Sequence, residues 1–183
     1  MIGNKFNFCP ECGGKNISYL ENKKWFCAEC GFDLYNNVAA AVGAIISDAE
    51  NNVLFEIRAK EPRKGFLALP GGFVDRNETA EQAVVRECLE ETGVQPEKVK
   101  YLCSFPNDYL YKNIAYKTCD LFFDASIPAG EGNAHELIKR LHGQDSEVSG
   151  FAVKKIDSKD AIEKLPLAFE SAKKALSYWL SFR

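Results

Sequence analysis

The pattern of apolar and polar residues along the chain predicts a mixed α/β domain. The longest apolar run, residues 38–46, predicts a buried strand, and residues 53–58 read as its hairpin partner. Further strands are predicted at residues 99–105, 115–125 and 151–156. Helical periodicity predicts main helices over residues 79–92 and 167–180 and a short one around 135–141. The last main helix would place its apolar side chains on one face: Ala168, Ala172, Ala175, Leu176 and Trp179.

Composition narrows the class of protein. The chain has 183 residues, of which 46% are hydrophobic and 27% charged, as expected for one good core with a small appendage. No apolar run approaches the ~18 residues of a membrane helix, and the first residues do not resemble a secretion signal. A net charge of −3 argues against a general nucleic-acid binder. We therefore expect a cytoplasmic protein that does not associate with membranes.

Four of the seven cysteines form two Cys-x-x-Cys pairs at the start of the chain. Cys9 and Cys12 are separated from Cys27 and Cys30 by 14 residues, and glycines follow the second cysteine of each pair. In a reducing compartment this spacing is typical of a tetrahedral Zn²⁺ site, and four thiolates leave no open position for catalysis. We predict a structural zinc ribbon over residues 1–35 and a second domain over residues 36–183; redox chemistry of the thiols is the alternative.

The remaining three cysteines, at positions 88, 103 and 119, are single, and we expect them in the core.

The segment from residue 69 to residue 94 carries the clearest chemical pattern. Pro70-Gly71-Gly72 predicts a turn that a ligand can approach closely, and the helix after it could be capped by Thr79 or Asn77 and ended by Gly93. On that helix Glu87, Glu90 and Glu91 fall within an arc of roughly 100°. Adjacent carboxylates repel each other unless the face binds a hard cation, since Mg²⁺ and Mn²⁺ prefer oxygen ligands. A solvated helix face is the alternative interpretation of the glutamates alone.

The whole segment resembles the Nudix box of hydrolases that cleave nucleoside diphosphates linked to another group. Gly72 is followed by Glu78 six residues later and then by Arg86-Glu87-x-x-Glu90-Glu91-x-Gly93, so every fixed position is matched. The box has an apolar position after Glu87, and this chain has cysteine there. The resemblance implies an α/β fold, a Nudix-type α/β/α sandwich with a mixed sheet. It also implies a small-molecule nucleotide substrate and a pyrophosphatase activity that depends on Mg²⁺ or Mn²⁺.

The resemblance also implies roles for individual residues. Glu87, Glu90, Glu91 and the Gly71 carbonyl would bind the catalytic cations, and Glu87 would orient or deprotonate the attacking water. Arg86 would position a glutamate through a two-pronged ion pair, and Glu78 would steady the junction of loop and helix. A later acid often completes the site in this family, and Glu147 occupies the comparable place. Its competitors are Glu131, Glu136 and Asp145. The two histidines, His135 and His142, are expected to be exposed.

The substrate is less well defined by the sequence. A zinc ribbon before a Nudix domain is the arrangement of the NADH pyrophosphatase subgroup, in which homodimers are common. We expect no counterpart of the domain that precedes the ribbon in many members, and residues 101–111 have Ser104 and Pro106 but not the glutamine and tryptophan of the tag that marks NADH specificity. We expect ADP-ribose, NADH or FAD as the type of substrate. An aromatic loop, with Phe66, Phe105, Tyr109 and Tyr111 as candidates, would stack a base or shape a sugar pocket, although such aromatics are often core.

Two alternatives to a small-molecule hydrolase remain at this point. One is a non-catalytic Nudix module that senses a nucleotide, although no glutamate of the box has been lost. The other is removal of a nucleotide cap from RNA, for which Lys23, Lys24 and Trp25 in the ribbon are the only indication.

Overall fold

A computed structural model of the protein describes residues 6–111, 114–143 and 146–183, with the backbone alone for Tyr111. The chain divides into two compact units. One comprises the residues up to Val38 together with Asp108–Lys117, and the other comprises Ala39–Asn107 and Thr118–Arg183. The predicted domain division after residue 35 stays a prediction.

The strands and helices follow the sequence pattern with several differences in extent. The strands are β1 (Ile17–Leu20), β2 (Lys24–Cys27), β3 (Asp33–Tyr35), β4 (Ala39–Ser47), β5 (Asn52–Arg58), β6 (Leu67–Ala68), β7 (Glu97–Tyr111), β8 (Ile114–Ser126) and β9 (Val148–Lys155). The helices are α1 (Ala80–Thr92), α2 (Ala134–Leu137), α3 (Lys159–Glu163) and α4 (Glu170–Leu180), with a 3₁₀ turn at Ile138–Arg140.

The first unit contains a three-stranded antiparallel sheet of β1, β2 and β3. Its apolar centre is Trp25, which is buried and lies 4.9 Å, between ring centroids, from both Phe6 and Tyr19. So small an apolar cluster does not stabilise a fold of this length by itself, and the unit depends on further cross-links.

The second unit is built on a six-stranded mixed sheet. Its strands run in the order β6-β5-β4-β8-β7, with β9 paired to β5. β4 pairs in parallel with β8 from Ala39–Thr118 to Ser47–Ser126, whereas β5 pairs antiparallel with β9 along its length. The predicted hairpin of β4 and β5 is confirmed at the turn, where Ser47 and Val53 form an antiparallel pair. It is short, because β5 pairs with β6 rather than with β4 further along the same edge. A long apolar run is typical of a central strand covered on both faces, and β4 is such a strand.

Alternating side chains of the sheet pack on two different helices. Ile45, Val53, Phe55 and Phe122 share one cluster with α4 residues, including the fully buried Trp179. Val42, Ala44, Ile46, Leu54 and Phe123 form the opposite cluster with Ala83, Val84 and Cys88 of α1. Because successive side chains of a strand point to opposite faces, these two clusters define an α/β/α sandwich. The expected sandwich with a mixed sheet is confirmed, as is the apolar face of α4.

Two segments differ from the sequence-based expectation. A strand was predicted only as far as residue 105, with an aromatic loop to follow, but β7 continues to Tyr111. Pro106 cannot donate a backbone hydrogen bond, and it is tolerated there because β7 lies at the edge of the sheet. The short helix α3 was not predicted, because five residues are too few to show a periodic pattern.

Within the residues that the structure describes, no helix is long and apolar enough to cross a membrane.

Candidate active site and cysteine cluster

Helix α1 is fixed at both ends, which sets the register of its glutamates. Thr79 is the N-cap: its hydroxyl accepts from Gln82 N at 3.2 Å, and the Gln82 side chain accepts from Thr79 N at 2.9 Å. At the other end Gly93 adopts a left-handed φ of 73° and donates to the Leu89 carbonyl at 2.9 Å. The N-cap and the glycine stop are those that the sequence predicted, with Thr79 rather than Asn77 as the cap. The reciprocal bond of Gln82, which completes a capping box, is an addition from the structure.

The three glutamates differ in how deeply they are buried. Glu91 is 4% exposed, the Glu87 side chain is 13% exposed, and the Glu90 side chain is 52% exposed. They follow the edge of α1 that borders its buried face, where Ala83, Val84 and Cys88 pack on the sheet. This arrangement suits a site in which charged ligands at depth meet a substrate arriving from solvent.

The glycine loop lies along β4 and meets the glutamates. Ala44 N donates to the Pro70 carbonyl and Val42 N to the Gly72 carbonyl, both at 2.8 Å. Gly71 N donates to Glu91 Oε2 at 2.7 Å, which ties the loop to the deepest glutamate. The metal-ligand role predicted for the Gly71 carbonyl stays a prediction.

Position 71 requires glycine, and a side chain at position 72 would displace the Glu87 carboxyl. A Cβ atom at position 71 would lie 2.1 Å from the Val42 carbonyl oxygen, and the residue has a φ of 148°. A Cβ atom at position 72 would lie 2.6 Å from Glu87 Oε1. The loop can therefore approach both the strand and the glutamate only because its side chains are absent.

Arg86 joins the acidic residues to one another. Its Nε and Nη2 donate to the two oxygens of Glu78 at 2.9 and 3.0 Å, so the two-pronged ion pair is with Glu78. Nη1 donates to Glu87 Oε1 at 2.8 Å and to Glu90 Oε2 at 3.3 Å, and Nη2 also donates to the Phe73 carbonyl at 3.0 Å. Glu78 Oε2 in turn accepts from Asp75 N at 3.0 Å at the start of the helix segment. The guanidinium thus holds loop, helix and Glu87 in one geometry.

The surroundings of these carboxyls shift their pKa values in opposite directions. The Arg86 guanidinium lowers the pKa of Glu78, with help from the Asp75 backbone N–H. Burial raises the pKa of Glu87, and Arg86 offsets part of that rise. Burial also raises the pKa of Glu91, and the neighbouring Glu56 carboxyl adds to the rise. A raised pKa means that the charged form is unfavourable without a counter-ion, as expected where a cation binds.

Glu56 is a residue of this site that sequence reasoning missed. It lies on β5, is 2% exposed, and its carboxyl is within hydrogen-bonding reach of Glu91. One signal could have found it, because a glutamate interrupts the apolar run Val53-Leu54-Phe55 on a predicted buried strand.

The predicted downstream acid, Glu147, is close enough to the site to influence its electrostatics. Its charge raises the pKa of both Glu56 and Glu87. Glu147 accepts from Lys60 Nζ at 2.5 Å, and its side chain is 43% exposed. Of the competitors, Glu131 pairs with Arg140 at 3.0 Å, and Asp145 lies outside the described residues. The role of Glu147 as a metal ligand stays a prediction.

The predicted substrate-binding aromatics fall in different places. Phe66 lies just before β6, is partly exposed, and has the Arg63 guanidinium 5.5 Å from its ring centroid. Tyr109 lies on β7 and belongs to the unit that contains the cysteines, whereas Phe66 belongs to the other unit. The side chain of Tyr111 is outside the described part of the structure. Phe105 packs against the core of the sheet, so of the four aromatics it is the least suited to contact a ligand.

The four paired cysteines converge on one point. Cys9 Sγ lies 3.7 Å from Cys30 Sγ, and Cys12 Sγ lies 3.8 Å from Cys27 Sγ. Tetrahedral Zn–S bonds of about 2.3 Å place sulfur atoms about 3.8 Å apart, and a disulfide would require about 2.05 Å. All four ligand atoms lie within 4.8 Å of one another, so the cluster could hold a metal ion.

The two cysteine pairs adopt matching turns. Gly13 N donates to the Cys9 carbonyl and Gly31 N to the Cys27 carbonyl, with left-handed φ angles of 73° and 78°. The single cysteines differ in burial: Cys88 is fully buried, whereas Cys103 and Cys119 are only partly buried. His135 and His142 are exposed, as predicted.

The capped acidic helix on an α/β/α sandwich, with a glycine loop against its carboxylates, is the arrangement of the class of α/β domains that the Nudix-box pattern predicted. The chain belongs to the Nudix family, since the NUDIX domain profile matches residues 38–175.

Relatives and solved structures agree with this assignment. An ADP-ribose pyrophosphatase of Methanocaldococcus jannaschii is 52% identical over 71 residues, which are 39% of this chain and 41% of that protein. The NAD-capped RNA hydrolase NudC of Vibrio parahaemolyticus is 32% identical over 101 residues, 54% of this chain and 37% of that protein. The chain thus matches about two fifths of the length of these curated relatives.

Structural similarity extends over more of the chain. A NUDIX hydrolase from Nitrosomonas europaea has a TM-score of 0.63 at 24% identity, covering 96% of this chain and 91% of that one. The NUDIX domain of Shewanella oneidensis NrtR, solved with ADP ribose, has a TM-score of 0.58 at 24% identity and covers 80% of this chain and 88% of that one. At this identity the similarity shows the fold.

Proposed function

We propose that the protein is a divalent-cation-dependent pyrophosphohydrolase that cleaves the diphosphate of a nucleoside diphosphate linked to another group. The observation that carries this proposal is the convergence of Glu87, Glu90 and Glu91 beside a loop whose Gly71 and Gly72 admit no side chain. Compounds of the ADP-ribose, NADH or FAD type fit the expected substrate. Hydrolysis would give a nucleoside monophosphate and a second monophosphate.

The side chains of the site suit Mg²⁺ or Mn²⁺. The donors are carboxylate oxygens, which hard divalent cations prefer, and Arg86 is already engaged by Glu78 and Glu87. An orphaned oxygen of the buried Glu56 supports the same fit. Glu87, Glu90, Glu91, the Gly71 carbonyl and Glu147 are the residues that would hold the cations.

The protein's own groups would prepare the reaction. When bound, a divalent cation would neutralise phosphate charge and acidify a water molecule. Glu87 would orient that water or take its proton, because its side chain is largely buried and its carboxylate is held by Arg86. Glu78 would act indirectly by fixing Arg86. Phe66, Tyr109 and Tyr111 remain the proposed contacts to the base or sugar.

The cysteine cluster would hold a structural Zn²⁺. Four cysteine ligands complete a tetrahedral shell, so this ion would stabilise the residues around β1–β3 and take no part in the chemistry. We retain residues 1–35 as the proposed zinc ribbon and 36–183 as the proposed Nudix domain. We also propose a cytoplasmic location, because thiols stay reduced there. A homodimer is proposed because homodimers are common in the subgroup that the chain resembles.

A substrate panel tests the proposed activity. Purified, zinc-loaded protein would be incubated with ADP-ribose, NADH and FAD in the presence of Mg²⁺ or Mn²⁺, and the monophosphate products would be separated and identified. We expect cleavage of at least one compound and its loss on chelation. Glu90→Gln and Glu91→Gln should abolish turnover, and full activity in both variants would overturn the ligand assignment. Absence of monophosphate products with every compound would overturn the proposed function.

A second candidate is hydrolysis of a nucleotide cap on RNA, because several relatives carry the name NAD-capped RNA hydrolase. The ribbon gives it little support: Trp25 is buried, and Lys24 pairs with Asp33 at 2.7 Å. Capped RNA and free dinucleotide would be compared at equal concentration. A preference for capped RNA, together with binding that weakens steeply as salt increases, would favour the second candidate.

The non-catalytic nucleotide sensor is disfavoured by the complete set of glutamates in the site.

A further inference from the structure

Glu56 is directed toward the acidic site by the geometry of its strand. Val53 and Phe55 of β5 pack in the cluster that contains α4, whereas Leu54 packs in the cluster that contains α1. Because side chains alternate along a strand, position 56 faces α1 together with Leu54. The carboxyl of Glu56 therefore enters the sandwich from the sheet, opposite the helix that carries Glu87, Glu90 and Glu91.

The Glu56 carboxyl is buried and incompletely partnered. The residue is 2% exposed, and in the part of the chain that the structure describes its Oε2 has no hydrogen-bond partner. Its carboxyl lies beside that of Glu91, and the charges of Glu87 and Glu147 act on it as well. A buried charged group without a partner is unfavourable, so such a group is retained where something else binds it.

Neighbouring basic side chains in the described residues do not form a hydrogen bond with Glu56 Oε2. Arg58 donates from Nε to the Pro62 carbonyl at 2.9 Å and lies 5.1 Å from the Phe169 ring centroid, so it acts on Glu56 only through space. Arg86 forms its bonds with Glu78, Glu87 and Glu90. The Lys60 ammonium lies against Glu147.

We propose that Glu56 Oε2 is a further ligand of the deepest divalent cation of the site, the one bound by Glu91. This inference rests on the proposed function, because it presumes that the site binds divalent cations. The added ligand comes from the sheet, whereas Glu87, Glu90 and Glu91 come from α1. The cation would therefore link sheet to helix at the point where Gly71 N holds Glu91.

Binding of Mn²⁺ to the full, zinc-loaded chain tests this ligand. Calorimetry would give the affinity, and electron spin-echo measurements in D₂O would count the water molecules on bound Mn²⁺. Glu56→Gln keeps an oxygen but removes the charge, and Glu56→Leu removes both. We expect affinity to decrease from wild type to Glu56→Gln to Glu56→Leu, by at least ~10-fold overall, since loss of even an outer partner of a metal ligand costs that much. Glu56→Leu should also gain one bound water.

The matched control is Glu81→Gln, which removes one negative charge from an exposed position in the first turn of α1. Its Mn²⁺ affinity should stay within about twofold of wild type. Equal affinities for wild type and both Glu56 variants would overturn the inference, and so would a weaker site with an unchanged number of bound waters, because Glu56 would then only position Glu91.

A crystal structure of the wild-type protein with Mn²⁺ keeps the inference testable if a variant does not fold. Anomalous scattering should place an ion within about 2.5 Å of Glu56 Oε2. An ion held by Glu87, Glu90 or Glu91 with Glu56 out of contact would overturn the inference and leave the proposed function standing. No Mn²⁺ binding by the wild-type chain would overturn both.

Discussion

Replacement of Arg86 by lysine should damage the site although it preserves the charge. The guanidinium donates to both oxygens of Glu78, to Glu87 Oε1 and to the Phe73 carbonyl. A lysine ammonium is a single point with three donors, so it can reach one of these carboxylates in good geometry but not both.

The expected cost follows from the burial of the two glutamates. The side chains of Glu78 and Glu87 are only 14% and 13% exposed, so the one that loses its partner stays largely shielded from water. Each hydrogen bond to a charged group contributes about 1.5–3 kcal/mol. Glu90 adds little, because its side chain is 52% exposed. With two such bonds lost and partial exposure discounted, we expect Arg86→Lys to lower the free energy of unfolding by about 2–4 kcal/mol.

Urea unfolding at pH 7.5 with zinc present measures this change. With an m-value of about 2 kcal/mol/M, the midpoint should decrease by about 1–2 M urea. Activity should decrease as well, chiefly in kcat, because Glu87 is no longer held. Arg76→Lys is the matched control, since Arg76 is exposed in the loop before the same helix and its replacement should change stability by less than about 0.5 kcal/mol. An Arg86→Lys protein as stable and active as this control would refute the reasoning.

Three further outcomes follow from the same geometry. Cys12→Ser should lower the bound zinc from one ion per chain toward none, and elemental analysis with circular dichroism should show unfolding of the ribbon; full zinc content would contradict the four-cysteine site. In metal-free protein the raised pKa values of Glu56 and Glu91 disfavour the folded state once the pH exceeds the ordinary glutamate value of about 4.3. The stability of Glu56→Gln relative to wild type should therefore rise from pH 5 to about pH 7 in urea titrations, by up to about 1.4 kcal/mol per pH unit, and level off above the Glu56 pKa of about 7, whereas a pH-independent difference would argue against a buried acid. Gly72→Ala should lower kcat by ~10-fold or more with little change in melting temperature, because its Cβ would displace only the end of Glu87; unchanged kinetics would mean that Glu87 is not held there.

Local signals in the sequence were enough to predict the helix and its caps. Thr79, Gln82 and Gly93 act through contacts within four residues, so their pattern is visible without any tertiary information. The paired cysteines are similar, because each turn of a Cys-x-x-Cys pair is local and tetrahedral geometry then determines how the two pairs meet.

Long-range pairing was not visible in the same way. The short turn between β4 and β5 indicated their hairpin, which is limited to the pair Ser47 and Val53. The longer pairings of β4 with β8 and of β5 with β9 were not predicted, because they depend on apolar surfaces far apart in sequence. Pro106 suggested a loop, and it stands in a strand because an edge position leaves its missing donor without consequence.

Glu56 shows the same limit within the site. Glu56 lies near the polar end of β5 and is followed by Ile57 and Arg58. From the sequence alone, it could equally have been an exposed residue of a strand with alternating buried and exposed side chains. The interrupted apolar run is compatible with both placements, and the packing of α1 across the sheet establishes that Glu56 is buried beside Glu91.

Hydrolysis in H₂¹⁸O tests the central claim most directly. The wild-type chain would be incubated with ADP-ribose and Mn²⁺ or Mg²⁺, and the products would be weighed by mass spectrometry. If a water held at Glu87, Glu90 and Glu91 attacks the diphosphate, each cleavage should place one ¹⁸O in one of the two monophosphates, and Glu90→Gln should abolish the labelled product. Cleavage that continues after chelation, or that leaves both monophosphates unlabelled, would contradict the account.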